Sequence, residues 1–350
     1  MKKVLLYQSQ IPHYRRAIFE ELGKHVELTI AYTNGECSQG SNYSVKKIQL
    51  YRIPKVGYWH GRDLIRLARN SDILISMLAP GYLDIEHIKC FAPNIEHIRW
   101  GIGVQAGYED RFDSQNGADV FRKIVEKCDA ALFYSDYPKR KYAKLGIEPN
   151  KMFVANNTVA VEEINEEVER SNIIFVGTLY AQKRVDLLLE AYACAFNKDS
   201  TIPDLTVVGD GDQKKNLIAL AEKLGVADKV EFMGKIEDEK KLSRLFASSI
   251  ACISPDQAGL TVLKSMGYGV PFITMKNAIT GGEIFNITDK QNGILMEDID
   301  ELPDIIMDIG RNKEKYLEYG KNAYEHYHTC RTPEVMVDGF LQAIDYVNER

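Results

Sequence analysis

Short apolar, β-rich runs alternate with stretches of helical period from one end of the chain to the other. In the first half, runs at residues 4–8, 26–32, 73–77, 95–100, 131–134 and 153–156 are separated by helical patterns at 14–24, 82–91, 119–128 and 137–145. Near-continuous apolar strands signify burial on both faces. Strands separated by helices return to the same end of a sheet only by crossover, so the pattern predicts a parallel sheet covered on both sides. The same grammar restarts at residue 173: strands at 173–177, 205–209, 230–233, 251–254, 272–275 and 293–296 alternate with helices at 183–196, 213–224, 239–247 and 259–268, before helices fill 302 to the end. The fold class read from this is α/β, with two Rossmann-like doubly wound domains.

Between the two series, residues 159–171 are acidic, have little to bury, and read as an interdomain connection. The expected division is a first domain at 1–158, a linker at 159–171, a second domain at 172–330 and a C-terminal helix within 331–350. That helix is apolar at Val335, Phe340, Leu341, Ile344 and Val347, so it needs a partner face, which the first domain can supply if the chain crosses back. Doubly wound domains bind ligands outside the carboxyl ends of their strands, and two of them facing each other would enclose a cleft there.

Composition narrows the function classes. At 350 residues the chain is longer than one core usually supports. Its formal net charge of −6 argues against a protein that coats nucleic acid through a general basic excess, and no nucleic-acid partner is expected. The cysteines Cys37, Cys90, Cys128, Cys194, Cys252 and Cys330 are scattered, with no CxxC pair, and read as reduced core residues of a cytoplasmic protein. No apolar run reaches the ~20 residues of a membrane span. Met1-Lys2-Lys3 leads into a strand rather than the core of a signal peptide. Tyr58-Trp59-His60, with Arg62 and Arg66, reads either as a peripheral membrane or acceptor surface or as ordinary packing. His326 and His328 face two sides of one helix, and neither a metal nor a cofactor is expected.

The chemistry sits in the loops after the strands. Val208-Gly209-Asp210-Gly211-Asp212 joins a strand to a helix; its glycines permit a tight turn whose amides can point outward to an anion, or a plain turn with Asp212 as a helix cap. Gly177 and Thr178 end another strand ahead of Lys183 and Arg184, two cations at a helix start that suit a pyrophosphate or a solvated helix end. At 254–274 an apolar strand runs out at Asp256, Gly259 opens a helix, and Lys264 lies within it, so both side chains can face one cleft.

Taken together, these blocks resemble the second domain of retaining GT-B glycosyltransferases, the large family numbered 4. The matching stretches are Gly177 with Lys183-Arg184, Val208-Gly209-Asp210-Gly211, Val230 to Gly234, Asp256 to Pro271, and Gly281-Gly282-Glu283, in the family's order. Ile11-Pro12-His13-Tyr14-Arg15, Trp100-Gly101-Ile102-Gly103 and Asn156-Asn157-Thr158 resemble, more loosely, first domains of bacterial members that build surface polysaccharides. The resemblance implies a first domain that receives the acceptor and a second that holds a nucleotide-sugar donor. It implies that Lys183 and Arg184 neutralise the diphosphate, that Met233, Gly234 and Lys235 contact the base, and that Asp256 lies near the transferred sugar. Amides at Gly259, Leu260 and Thr261 fall near the phosphates, and Gly177, Thr178, Gly209 and Gly211 fall in the same donor site. A metal is not required, because fixed cations and helix amides can stabilise the leaving diphosphate.

Departures from the family pattern are as specific as the matches. Two glutamates eight positions apart are replaced by Asp256 and Lys264, and an ammonium only donates where a carboxylate would accept from a ribose. Lys264 can bind a charged donor group, or turn away and pair with a surface acid. Thr178 stands for an arginine and Ile102 for a histidine, for which His13 is the candidate substitute in catalysis. Arg15 and Arg16, with Gly101, Ile102 and Gly103, are the candidate acceptor contacts, Arg15 and Arg16 having the alternative of a plain polar helix face. Glu283 is either near the donor or a cap. The resulting expectation is a retaining, metal-independent transferase acting on a glycan or lipid-linked glycan for the bacterial cell surface, in the cytoplasm with peripheral contact at the inner membrane face. A non-catalytic subunit of the same fold that binds a partner transferase or nucleotide is the alternative.

Overall fold

The structure is a computed structural model describing residues 1–37, 39–107, 111–113, 118–164 and 168–349. The chain divides into two units, one of Met1–Ala106, Phe112–Ala160 and Thr332–Arg350, the other of Val161–Arg331 together with the segment ending at Arg111.

In the first unit, seven strands form one parallel sheet. They are β1 (Lys3–Gln8), β2 (Glu27–Tyr32), β3 (Tyr43–Lys47), β6 (Ile73–Met77), β7 (Glu96–Gly101), β8 (Ala130–Phe133) and β9 (Met152–Val154), in the spatial order β3-β2-β1-β6-β7-β8-β9. The reversal of direction at β1 is the doubly wound switch point. β4 (Tyr51–Ile53) and β5 (Gly57–Trp59) form a separate antiparallel hairpin. Strands of three residues are too short for any alternation to register, which is why the apolar pattern does not reveal this hairpin.

The helices of this unit are α1 (Arg16–Leu22), α2 (Arg62–Arg69), α3 (Leu83–Glu86), α4 (Ile88–Phe91), α5 (Ala118–Lys127) and α6 (Asp136–Lys144). The single helix expected over 82–91 is two short ones, broken at His87, whose φ of −115° and ψ of 24° leave the helical region.

The second unit repeats the plan with six parallel strands. They are β10 (Asn172–Val176), β11 (Leu205–Val208), β12 (Val230–Gly234), β13 (Ser249–Ile253), β15 (Phe272–Met275) and β17 (Gly293–Met296), ordered β12-β11-β10-β13-β15-β17. Every residue of β13 is buried, as a strand covered on both faces requires. β14 (Gln257–Ala258) and β16 (Ile279–Thr280) make a small pair of their own beside it. Covering helices are α7 (Val185–Lys198), α8 (Lys214–Lys223), α9 (Glu239–Ala247), α10 (Thr261–Gly267), α11 (Leu302–Arg311) and α12 (Lys313–Cys330). The segment 159–171 is less solvated than its glutamates suggest. Val159 is buried, and Arg170 donates to the carbonyls of Ser249 and Tyr268 at 2.7 Å each, tying the end of this segment into the second unit.

The last helix, α13 (Pro333–Asn348), packs on α1, β7, β8 and β9, with Met336, Phe340 and Ile344 in the same core as Trp100 and Leu132. Its Gly339 lies so close to β9 that a Cβ there would stand 2.3 Å from the Val154 carbonyl oxygen. The cysteine expectation holds for Cys128 and Cys252, which are buried, whereas Cys90 and Cys194 are exposed; all six are free thiols. Gly339→Ala is expected to destabilise the first unit by on the order of 1–3 kcal/mol, since neither backbone can give way without loss of packing. Urea unfolding checks this, and an unchanged midpoint would show that helix and strand can separate freely.

Candidate functional site

The carboxyl ends of β10, β11, β12 and β13 are laced together by hydrogen bonds. Gly177 N donates to Val208 O and Gly209 N to Gly234 O, each at 2.9 Å, while Thr261 Oγ1 reaches Val176 O at 3.5 Å and Tyr180 OH donates to Gln257 at 2.7 Å. This brings Gly177, Lys183, Arg184, Gly209, Gly211, Gly234, Asp256 and the start of α10 to one edge of the second sheet.

The glycines serve close approach. A Cβ on Gly209 would stand 1.8 Å from the Gly177 carbonyl oxygen, and one on Gly211 2.3 Å from that of Leu179. Gly209 has φ of +150°, and its amide and that of Gly211 are both engaged, with Gly234 O and Asp210 Oδ1. The expectation that these amides point outward to an anion is therefore corrected: loop-to-loop packing uses them first.

Lys183 is the unusual side chain of the site. It ends the 3-10 turn Ala181–Lys183, and the helix that periodicity places from 183 begins at Val185, because Arg184 takes a left-handed φ of 50°. That kink turns Lys183 inward: it is 7% exposed, beside Cys252, and a Cβ on Gly177 would lie 3.2 Å from its Nζ. Burial pulls its ammonium down to about 8, and the same desolvation pushes the Cys252 thiol up to about 12. Among the described residues no acid or other acceptor bonds its Nζ. Arg184 differs: its guanidinium forks onto Asp186 at 3.0–3.2 Å, which raises its pKa, and Asp256 adds further attraction.

Asp256 and Lys264 part company. Asp256 Oδ1 accepts from Arg111 Nη1 at 3.3 Å, and that guanidinium also donates to the Asn277 carbonyl. Lys264 is ion-paired with Glu239, the first residue of α9, so of its two alternatives the structure places the pairing with an acid. Glu283 is 5% exposed, and its Oε2 accepts from Gly281 N at 2.9 Å and Thr280 Oγ1 at 3.4 Å, contacts within the turn at Gly282, whose φ is 116°. Met233 and Gly234 end β12, Lys235 is exposed and paired with Glu237 at 2.5 Å, and Thr178 is exposed.

In the first unit, His13 is exposed in the turn after β1 and Arg16 at the start of α1. Arg15 is corrected: it is 3% exposed, with its guanidinium 5.0 Å from the Trp100 ring, 5.1 Å from Tyr134 and 5.3 Å from Tyr14, and it donates to Met336 Sδ at 3.6 Å. Its stem and planar head serve packing, which the polar face of an isolated helix cannot reveal. Gly101 and Gly103 shape the β7 loop; Gly103 has φ of +82°, a Cβ there would meet Phe133 at 2.5 Å, and its carbonyl is held by Tyr142 OH. Ile102 is half-buried between them. Arg111, Glu239 and Cys252 carry no sequence signal, because each matters only through a partner distant in the chain.

A parallel six-stranded sheet with this glycine-lined edge, in one chain with a second doubly wound unit, is the GT-B fold. Residues 157–326 match the family described as Glycosyl transferases group 1. That match falls almost wholly within the second unit, and the chain is a transferase. An uncharacterized glycosyltransferase of Haemophilus influenzae is 26% identical over 78% of this chain and 79% of its own length. The lipopolysaccharide glucosyltransferase WaaG of Escherichia coli is 30% identical over 39% of this chain and 35% of its own. Among solved structures, Anabaena HepE in complex with UDP superposes with a TM-score of 0.74 over 99% of this chain and all of its own, at 15% identity, a likeness of fold.

Gly209→Ala is expected to lower stability by on the order of 3 kcal/mol, from a disallowed backbone region plus the Gly177 contact. Denaturant unfolding measures it, and a loss under about 1 kcal/mol would mean that the two loops are not locked together.

Proposed function

We propose that the chain moves a sugar from a nucleoside diphosphate to a hydroxyl of a glycan or lipid-linked glycan in the making of a cell-surface polysaccharide, with retention at the anomeric carbon. The observation that carries this is Lys183: a desolvated ammonium with no acid on it among the described residues, at the carboxyl edge of the sheet, in a loop that Gly177 keeps clear. Cleaving the sugar–phosphate bond builds negative charge on the leaving diphosphate, and a cation in low dielectric stabilises that charge more than the neutral sugar end. In this reading no metal or cofactor is assigned, since the fixed cation supplies the neutralisation.

Asp256, held by Arg111, is assigned to the hydroxyls of the transferred sugar, and His13 and Arg16 to the acceptor side. The acceptor attacks on the face that the diphosphate leaves, and a departing phosphate oxygen takes its proton, so that the carbon–oxygen bond formed replaces the one broken with its configuration kept. Solved relatives of the same fold are complexes with UDP, or with UDP and glucose, which supports a UDP-sugar as the first donor to try. A lipid-linked acceptor would place the enzyme in the cytoplasm at the inner membrane face.

Calorimetric titration with UDP-, GDP-, dTDP- and CMP-sugars tests the reading, and failure of every one to bind would sink it. Lys183→Met is expected to weaken binding by on the order of 2–3 kcal/mol. With the Lys183 pKa drawn down to about 8 in the free protein, the ammonium is fully present below that pH and is lost above it. Donor affinity should therefore fall as pH rises through about 8, and binding near that pH should take up a proton. Buffers of different ionisation enthalpy detect the uptake; a pH-independent affinity between about 7 and 9 would remove Lys183 from the site. Asp256→Ala is expected to abolish turnover while leaving the melting temperature within a few degrees. Retained turnover would show that the sugar lies elsewhere.

A further inference from the structure

The hairpin β4–β5 concentrates exposed apolar surface and positive charge on one projection of the first unit. Four of the ten large apolar side chains exposed among the described residues are on it: Tyr51 at 56%, Ile53 at 38%, Val56 at 59% and Tyr58 at 38%. From Lys46 to Arg69 the chain carries seven lysines or arginines and one acid, Asp63, a local charge of +6 within a protein of net −6. Arg52 and Lys55 on the hairpin and Arg62 at the start of α2 are exposed and have no acidic partner among the described residues.

The tip itself is strained. Val56 N donates to Ile53 O at 3.1 Å across Pro54-Lys55, and Lys55 has φ of +66°, the left-handed position where such a turn ordinarily carries glycine. The base of the hairpin is rigid. His60, directly after β5, donates its amide to Asp84 Oδ2 at 2.6 Å and lies 3.0 Å from Asp84 Oδ1 through Nδ1, with both side chains fully buried; Tyr58 N donates to Gly81 O at 2.7 Å, and Trp59 packs edge-on against Phe91. A buried anchor beneath an exposed aromatic and cationic tip presents a surface rather than completing a core.

We infer that this hairpin docks the protein on an anionic bilayer, with Tyr51, Ile53, Val56 and Tyr58 entering the interfacial layer and Arg52, Lys55 and Arg62 on the lipid phosphates. The charge decides the occupant: aromatic rings suit the headgroup boundary, and exposed cations with no acidic partner among the described residues gain from a negative surface. This deepens the membrane-facing part of the transferase reading, on which it rests, by assigning it a surface.

The test is co-sedimentation of the full chain with vesicles of phosphatidylglycerol and, separately, of phosphatidylcholine. Retention is expected on phosphatidylglycerol alone and should fall with added salt. Arg52→Ala with Lys55→Ala should lower partitioning roughly thirtyfold, about fivefold for each cation removed. Tyr51→Ser with Val56→Ser should lower it while leaving the melting temperature unchanged, which separates lost docking from lost folding. Equal retention on both lipids, none on either, or no change in either variant overturns the inference. Binding to heparin without binding to vesicles also overturns it, in favour of a soluble polyanion. UDP titration of the same samples keeps the two readings apart, because vesicle binding needs no nucleotide and loss of UDP binding leaves the hairpin result standing.

Discussion

A lysine ammonium kept in low dielectric without a counter-ion is unfavourable unless something arrives to share its charge, and the second unit is arranged around that condition at Lys183. The left-handed turn at Arg184 swings Lys183 under the edge of the sheet, and Asp186 occupies Arg184, so that the two adjacent cations are separated in function. Of the two, only Lys183 has no acid on it among the described residues. Gly177 keeps the space over Nζ open, and Gly209 lets the neighbouring loop close on Gly177 from the side. The glycine-rich turn thus acts as a spacer for a buried charge and not as the anion cradle that its composition suggests.

The first unit solves a different problem with similar parts. It too has a buried cation, Arg15, but three aromatic rings and a thioether surround it, and the helix that closes the chain supplies the thioether. Arg15 is satisfied by packing, so it belongs to the stability of the unit, while the exposed His13 and Arg16 beside it remain available. The β4–β5 hairpin inverts the arrangement: its polar anchor, His60 with Asp84, is hidden, and its apolar residues are exposed. Buried charge at the sheet edge and exposed apolar surface at the hairpin both depart from the ordinary sorting of residues, and such departures concentrate where a protein meets something else.

The alternation of strands and helices, the two doubly wound units and the order of the glycine loops were legible along the chain. Each rests on neighbours within a few residues: a strand buried on both faces must be apolar throughout, and a strand-to-helix turn pressed against another must lack a Cβ. The hairpin at 51–59 and the break at His87 were not legible, since three-residue strands and single-residue kinks carry no period. The pairing of β14 with β16 escaped for the same reason.

The sequence by itself determined the architecture and the order of the glycine loops at the sheet edge, because periodicity and backbone permissiveness are local properties. Tertiary structure decided which of the candidate polar groups remain free. Lys264 is taken by Glu239, 25 residues earlier, and Asp256 by Arg111, 145 residues earlier, while Lys183 is desolvated and has no acid on it among the described residues. Coulomb energy and desolvation depend on distance through space and on the surrounding dielectric, and neither is written in the spacing of residues along a chain.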